Sequence, residues 1–222
     1  MTLADPAGHE APIEPRGQGP GPSSDNGLGV GPLTVVLIAL SVAVAIFSQL
    51  GKNASILDGL FISSDDTAQR TLPEIFHGQV WRLITPIFIH FSLLHILFNM
   101  LWLKDLGTLI EKRASSGVLL ALVAVIGVCS NVGQFYTTGP NFGGMSGVVY
   151  GLLGYVWMKS KFDSRSGFYV ANQTVTMMIV WFFLCLANVI GHVANTAHGV
   201  GLGIGIAWGF LAAKTRTAGE PE

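Results

Sequence analysis

The sequence Gly144-Met145-Ser146-Gly147-Val148-Val149-Tyr150-Gly151 opens an apolar stretch, and 52 residues after its serine His198 opens the last apolar stretch of the chain. Half of the 222 residues are hydrophobic and only 11% are charged. Soluble domains carry about 25% charged residues. The serine and the histidine are therefore expected inside a lipid bilayer.

Six apolar stretches predict six membrane-spanning helices and an all-α, polytopic bundle. Several are shorter than the ~20 residues that cross a hydrocarbon core of about 30 Å, so hydropathy alone can merge or miss a span. The predicted spans are residues 33–50, 91–109, 118–136, 145–158, 175–190 and 197–213.

The two ends of the chain differ from this membrane domain, which we assign to residues 32–214. Residues 1–31 are rich in Pro and Gly, which predicts a disordered cytoplasmic tail, and residues 215–222 are a short C-terminal tail. We expect no cleaved signal peptide, because no basic region precedes Leu33. We interpret Cys129 and Cys185, which lie in separate spans, as small core residues.

The basic residues predict the orientation of the bundle. Eight of the twelve Lys and Arg residues lie at three sites, whereas the short connections 137–144 and 191–197 have none. The positive-inside rule places these two connections outside and both termini in the cytoplasm. The net charge of -1, without a basic stripe, argues against nucleic-acid binding. The eight are Lys104, Lys112, Arg113, Lys159, Lys161, Arg165, Lys214 and Arg216.

The first connection, residues 51–90, falls outside and is too long for a plain turn. Its second half, residues 72–89, interleaves apolar and polar residues. This pattern predicts an amphipathic segment in the outer interface, with Trp81 and Arg82 at the level of the lipid headgroups. The alternative is an ordinary packed loop.

Five polar residues lie toward the outer ends of the second, fourth and sixth spans, and polar residues in a membrane are candidates for function. Ser146 precedes Lys159 by 13 residues and His198 precedes Lys214 by 16. A helical rise of ~1.5 Å places both at similar depths, roughly 20 and 24 Å from the cytoplasmic interface. Residues 139–144 must then dip into the protein beside a water-filled pocket. The five are His90, His95, Asn99, Ser146 and His198.

This set predicts a nucleophile, its base and an oxyanion hole. A hydroxyl nucleophile needs a base within hydrogen-bond reach, and no acid lies near His198 in the sequence, so we predict a dyad and not a triad. The backbone N–H of Ser146 lies at a helix N-terminus, where such groups are free. His95 and Asn99, spaced i and i+4, can add side-chain donors.

Glycines give the two helices a way to approach. Gly147 and Gly151 on one span and Gly201 and Gly205 on the other form stripes that let backbones come together. Tyr150 lies one turn below Ser146 and can support the His198 ring. The alternative for Tyr150 is an ordinary aromatic core residue.

Three motifs in order resemble the bacterial rhomboid intramembrane serine proteases. They are His90-Phe-Ser-Leu-Leu-His95-Ile-Leu-Phe-Asn99, Gly144-Met-Ser146-Gly147, and Ala197-His198-Gly-Val-Gly201 with Gly205. Trp81-Arg82 and Glu111-Lys112-Arg113 also match, so the resemblance covers about residues 70–213. Lys104-Asp105 departs from it, because apolar or aromatic residues are expected there.

The resemblance implies a six-helix core of a bacterial inner membrane. Such proteins cleave transmembrane helices of membrane-protein substrates without a metal, another cofactor or ATP. It implies Ser146 as nucleophile, His198 as general base, and His95 and Asn99 as oxyanion partners. It also implies that Glu111 and Arg113 tie the cytoplasmic end of the second helix. His90 matches a family position near the site, without direct chemistry.

Two other classes of function remain open from the sequence. A catalytically inactive rhomboid-like protein that binds membrane clients usually lacks the serine or the histidine. A small transporter using His90, His95 and His198 requires polar residues through the cytoplasmic half, where the fourth and sixth spans are apolar or glycine. A metalloprotease is disfavoured because the sequence has no His-Glu-x-x-His.

Overall fold

The computed structural model describes residues 29–66, 70–187 and 193–218, and within these ranges the chain is helical with no β-strand. Six longer helices correspond to the six predicted spans. They are α1 Pro32–Phe47, α4 Leu93–Arg113, α5 Ser116–Thr138, α6 Ser146–Phe162, α7 Asn172–Leu186 and α8 Asn195–Ala218, while α2 Ala54–Asp58 and α3 Pro73–Phe76 lie in the first connection.

Several helix ends differ from the prediction. Helix α8 continues to Ala218, through the start of the predicted tail at residues 215–222. Helix α4 runs unbroken through Lys104-Asp105, whose exposed side chains pair with each other at 3.3 Å. Charged side chains on an exposed helix face do not interrupt the helix, because their charged ends can extend toward water. Residues 1–28 of the predicted tail at 1–31, residues 188–190 of the fifth span and residues 219–222 lie outside the described ranges.

Length and hydropathy set the described helices apart. Three are long and apolar enough to cross a membrane, namely α4, α5 and the Asn195–Thr215 part of α8, whereas α1 and α7 are apolar but shorter. Helix α6 has 17 residues and is buried without interruption from Gly147 to Val156. It is therefore the centre of the bundle.

The two cysteines differ: Cys185 is buried, but Cys129 is exposed, so the predicted core position of Cys129 is wrong.

Helices α6 and α8 are in direct backbone contact. A Cβ on Gly201 would overlap the carbonyl oxygen of Gly147, and one on Gly205 would overlap the carbonyl oxygen of Gly151. Only glycine permits such an approach. The predicted glycine stripes thus bring the first turns of the two helices, and with them Ser146 and His198, together.

The first connection is compact and irregular. After α3 it forms two 3₁₀ turns, Val80–Leu83 and Thr85–Phe88, and no continuous amphipathic helix. Arg82 is only 4% exposed and donates to the carbonyl oxygens of Asp58 at 2.6 Å and Phe61 at 3.0 Å. Its guanidinium therefore organises the loop from within, whereas the sequence placed it among the headgroups. Trp81 is half exposed.

Glu74 makes a second internal link in this connection. Its carboxylate accepts hydrogen bonds from the Ser63 hydroxyl at 2.9 Å and the Ser64 N–H at 2.7 Å. Burial alone would raise the pKa of Glu74, but these bonds and the positive charge of Arg82 hold the pKa below its usual value. The ionised carboxylate therefore stays in place at neutral pH.

Glu111 ties α1 to α4 at the opposite end of the bundle. Its carboxylate accepts from the N–H groups of Leu33 at 3.1 Å and Thr34 at 2.6 Å, and from the Ser116 hydroxyl at 3.1 Å. The first N–H groups of a helix have no partner within it, and a carboxylate there also favours the helix dipole. The residue that the resemblance singled out thus anchors the start of α1.

Candidate active site

Ser146 and His198 are in hydrogen-bond contact, with 2.7 Å between Ser146 Oγ and His198 Nε2. Ser146 is the first residue of α6 and His198 lies in the first turn of α8. The histidine is 4% exposed. The contact follows from the close approach of α6 and α8 described above.

The segment before Ser146 is an irregular loop that is partly buried, with Phe142 buried and Asn141 exposed. Gly144 has φ of 130°, a conformation that side chains with a Cβ rarely adopt. Its N–H donates to the carbonyl oxygen of Pro86 at 3.0 Å. Met145, which follows, is fully buried. The start of α6 is therefore fixed by the first connection.

His90 supports this loop from behind. The residue is fully buried, its Nδ1 donates to the carbonyl oxygen of Phe88 at 3.0 Å, and its Nε2 accepts from the Met145 N–H at 3.5 Å. Both ring nitrogens are thus engaged with backbone. This arrangement leaves His90 no free nitrogen for a substrate.

His95 lies beside the serine, and Asn99 lies one helical turn further along α4. A Cβ on Gly144 would be 2.7 Å from His95 Nε2 and 3.7 Å from Ser146 Oγ, so the His95 ring borders the serine. The Asn99 side chain donates to the carbonyl oxygen of His95 at 2.9 Å. The structure therefore brings His95 to the site, while Asn99 is held one helical turn away with one of its two amide hydrogens engaged.

Tyr150 forms one wall of the site. Its ring centroid lies 4.9 Å from that of His198, and its hydroxyl donates to the carbonyl oxygen of Met178 on α7 at 3.1 Å. Phe182 of α7 lies against both rings. The histidine ring is thus packed between α6 and α7.

Helix α5 contributes polar residues that the sequence reasoning missed. Gln134 accepts from the Ala197 N–H, directly before His198, at 2.9 Å, and Asn131 donates to the carbonyl oxygen of Leu83 at 2.9 Å. Ser130 is buried beside Gly147. Gln134 thereby holds α8, and Asn131 holds the first connection. The criterion applied to the other spans, polar residues in an apolar helix, would have found them.

The chemistry available is that of a neutral imidazole beside a hydroxyl. For Ser146 to donate to Nε2, the proton of His198 must reside on Nδ1. Nδ1 is buried and no described residue is its hydrogen-bond partner. No acidic side chain contacts the ring in the part of the chain that the structure describes. The His198 ring can accordingly take a proton from the Ser146 hydroxyl without the help of a carboxylate.

A bundle of apolar helices with a half-buried serine and a buried histidine in hydrogen-bond contact is typical of a membrane-embedded hydrolase. The rhomboid domain matches residues 77–215 of this sequence, which is more than half of the chain. The chain therefore belongs to the rhomboid family and is an integral membrane protein. This confirms the family that the motifs indicated.

Curated relatives carry the name rhomboid protease GlpG. The relative from Salmonella paratyphi A is 43% identical over 143 residues, covering 63% of this chain and 52% of the relative. The relative from Klebsiella pneumoniae strain 342 is 42% identical over 134 residues, covering 60% and 49%. The relative from Enterobacter sp. is 41% identical over 143 residues, covering 63% and 52%. The chain spans about half the length of these relatives.

Proposed function

We propose that this protein is an intramembrane serine endopeptidase that hydrolyses peptide bonds in or near transmembrane helices of membrane-protein substrates. The observation that carries the proposal is the partly buried 2.7 Å contact between Ser146 Oγ and His198 Nε2. Membership of the rhomboid family and relatives named as proteases support it.

In this mechanism Ser146 attacks the scissile carbonyl while His198 takes its proton, and His198 then delivers that proton to the leaving amine. Water hydrolyses the acyl-enzyme with His198 again as base. The substrate must enter as an extended segment, because an intact helix keeps its carbonyls in internal hydrogen bonds. No metal or other cofactor takes part in the proposal.

The tetrahedral intermediate needs hydrogen-bond donors around its oxyanion. The Ser146 N–H at the start of α6 is one, and the His95 ring beside Gly144 is a second. Asn99 is a third, because its amide has a second N–H beyond the one bonded to His95. Gly144 supports this group by the backbone conformation that it permits.

We further propose six membrane crossings for residues 32–214, with both termini in the cytoplasm of a bacterium and the first connection at the outer interface of the inner membrane. The six longer helices, with α6 enclosed by its neighbours, support this count. Lys159 and Lys161 at the end of α6 and Lys214 near the end of α8 support the orientation. The half-exposed Trp81 suits an interfacial first connection.

Cleavage of a transmembrane reporter substrate in proteoliposomes tests the activity, alongside labelling by a fluorophosphonate probe. We expect wild type to cleave and label, and Ser146→Ala and His198→Ala to lose cleavage by at least a thousandfold. Ser41→Ala is the matched control, since it removes a buried hydroxyl of α1, a helix that carries none of the candidate site residues. The proposal is wrong if Ser146→Ala cleaves like wild type. Substrate binding by wild type without cleavage or labelling would point to an inactive client-binding protein.

A further inference from the structure

Two buried polar atoms in the first turn of α8 have no hydrogen-bond partner among the described residues, and they are of complementary type. One is Nδ1 of His198 and the other is Oδ1 of Asn195. A buried polar atom without a partner is costly, and such atoms in folded proteins nearly always find one. A shared hydrogen bond would satisfy both.

The positions of the two residues allow that bond. Asn195 and His198 are three residues apart on α8, so their side chains lie on the same face. Side chains in a helix lean toward its N-terminus, which inclines the His198 ring toward Asn195. The Asn195 amide is oriented by its own Nδ2, which donates to the carbonyl oxygen of Cys185 at 3.2 Å.

The chemistry requires the donor to be on His198. A ring that accepts the Ser146 hydroxyl at Nε2 carries its hydrogen on Nδ1, and an amide oxygen can only accept. Other hydrolases place a carboxylate or an amide oxygen at this nitrogen, where it selects the tautomer and orients the ring. An amide performs this role without bringing a charge into the membrane.

We propose that Asn195 is a positioning residue whose Oδ1 accepts the Nδ1 hydrogen of His198, directly or across one water molecule. The bond holds the ring in the tautomer that can take the proton of Ser146. The site is then a serine, a histidine and an asparagine amide. This inference rests on the proposed protease function.

The groups around His198 determine what a test must control for. Tyr150 on α6 packs against the ring at a tilt, His95 on α4 borders the same serine, and Cys185 lies on α7 beside Asn195. Helix α5 faces α8 with the uncharged Ser130 and Gln134. Among the described residues no carboxylate faces the His198 ring. An aspartate introduced at position 195 would therefore be the first carboxylate beside that ring.

The experiment compares Asn195→Ala, Asn195→Asp and Asn195→Ser by kcat and KM over a range of pH in proteoliposomes. The alanine variant removes both the oxygen that accepts from His198 Nδ1 and the bond to the Cys185 carbonyl. The aspartate variant keeps an oxygen that can accept from Nδ1 and, when ionised, loses only the bond to Cys185. We expect Ala to lower kcat by about tenfold with KM unchanged. We expect Asp to retain more activity, with the acid limb of its kcat/KM profile at higher pH, since a carboxylate stabilises the protonated ring.

Thr196→Val is the matched control, because it removes a hydroxyl of the same turn that bonds to Thr137 and not to the ring. Equal losses in Ala and Asp with unmoved acid limbs would overturn the proposal, since the bond to Cys185 would then explain both. Unchanged kcat in Ala would overturn it as well. If Asp fails to fold, Ser decides: activity above that of Ala supports the proposal, and activity equal to Ala overturns it. The proposed protease function is tested separately by Ser146→Ala. If wild type cleaves the substrate and Ser146→Ala does not, that function stands whatever the Asn195 variants do.

Discussion

At the scale of single residues, Tyr150 links the candidate site to α7 through two separable parts of its side chain. The ring packs against His198 and the hydroxyl donates to Met178. Tyr150→Phe should cost about 1 kcal/mol of stability, the net value of one hydrogen bond, and change kcat by less than about threefold. Tyr150→Ala should cost about 3 to 5 kcal/mol and lower kcat by more than tenfold, because the ring of His198 loses its support.

Thermal unfolding in detergent and cleavage kinetics measure these effects. The two variants are controls for each other, since only Ala removes the ring. If Phe loses as much kcat as Ala, the hydroxyl and its bond to α7 are what the site requires, and the expected role of the ring is wrong.

The sequence located Ser146 and His198 because spacing to the nearest lysines estimates depth, and the structure places the two in contact. Their catalytic roles remain predictions. Gln134 could have been noted as a polar residue in an apolar span, but its bond to the Ala197 N–H could not have been predicted. Asn195 was not found, because it lies in the predicted connection 191–197 and its partner, the Cys185 carbonyl, is known only once the helix faces are fixed. The burial of Arg82 was missed for the same reason, since its carbonyl partners come from residues more than 20 positions earlier.

At the scale of elements, the contact between α6 and α8 depends on particular glycines, and α8 offers a matched pair. A Cβ at position 205 would overlap the carbonyl oxygen of Gly151, whereas one at position 203 meets nothing within 4 Å. Gly205→Ala should therefore separate the helices and abolish cleavage, with a loss of several kcal/mol in stability. Gly203→Ala should be neutral or stabilising by up to about 1 kcal/mol, from helix propensity.

Unfolding in mixed micelles and cleavage rates compare the two variants. If Gly205→Ala is as stable and as active as Gly203→Ala, α6 and α8 do not approach as closely as the contact between Gly205 and the Gly151 carbonyl oxygen requires.

Helix existence was easier to predict than helix ends. Each predicted span contains a helix, since a long apolar run in lipid must satisfy its backbone internally. The ends were less accurate because polar residues at the membrane surface continue a helix as readily as they stop it. Lys104-Asp105 within α4 and Thr215 within α8 show this.

At the scale of the whole molecule, the charges at the helix ends predict the orientation in the membrane. Lys52 lies in the first connection and Lys161 at the end of α6, and both are exposed. In a variant with Cys129 and Cys185 replaced by Ala, Lys52→Cys should react with an impermeant maleimide in intact spheroplasts. Lys161→Cys should react only after permeabilisation, because the positive-inside rule places it in the cytoplasm.

The unsubstituted cysteine-free variant is the background control, and retained cleavage shows that each variant is folded. Labelling of Lys161→Cys in intact spheroplasts would contradict the proposed orientation.

The burial of α6 has a consequence for how the protein is made. Helix α6 is short, carries Lys159 and Lys161 at its end, and is enclosed by its neighbours rather than by lipid. Its burial depends on α8, which is synthesised after it, and His198 arrives only with that last helix. A partly synthesised chain in the membrane therefore holds Ser146 without His198, and under the proposed mechanism the nascent protein is chemically inert until α8 has been added.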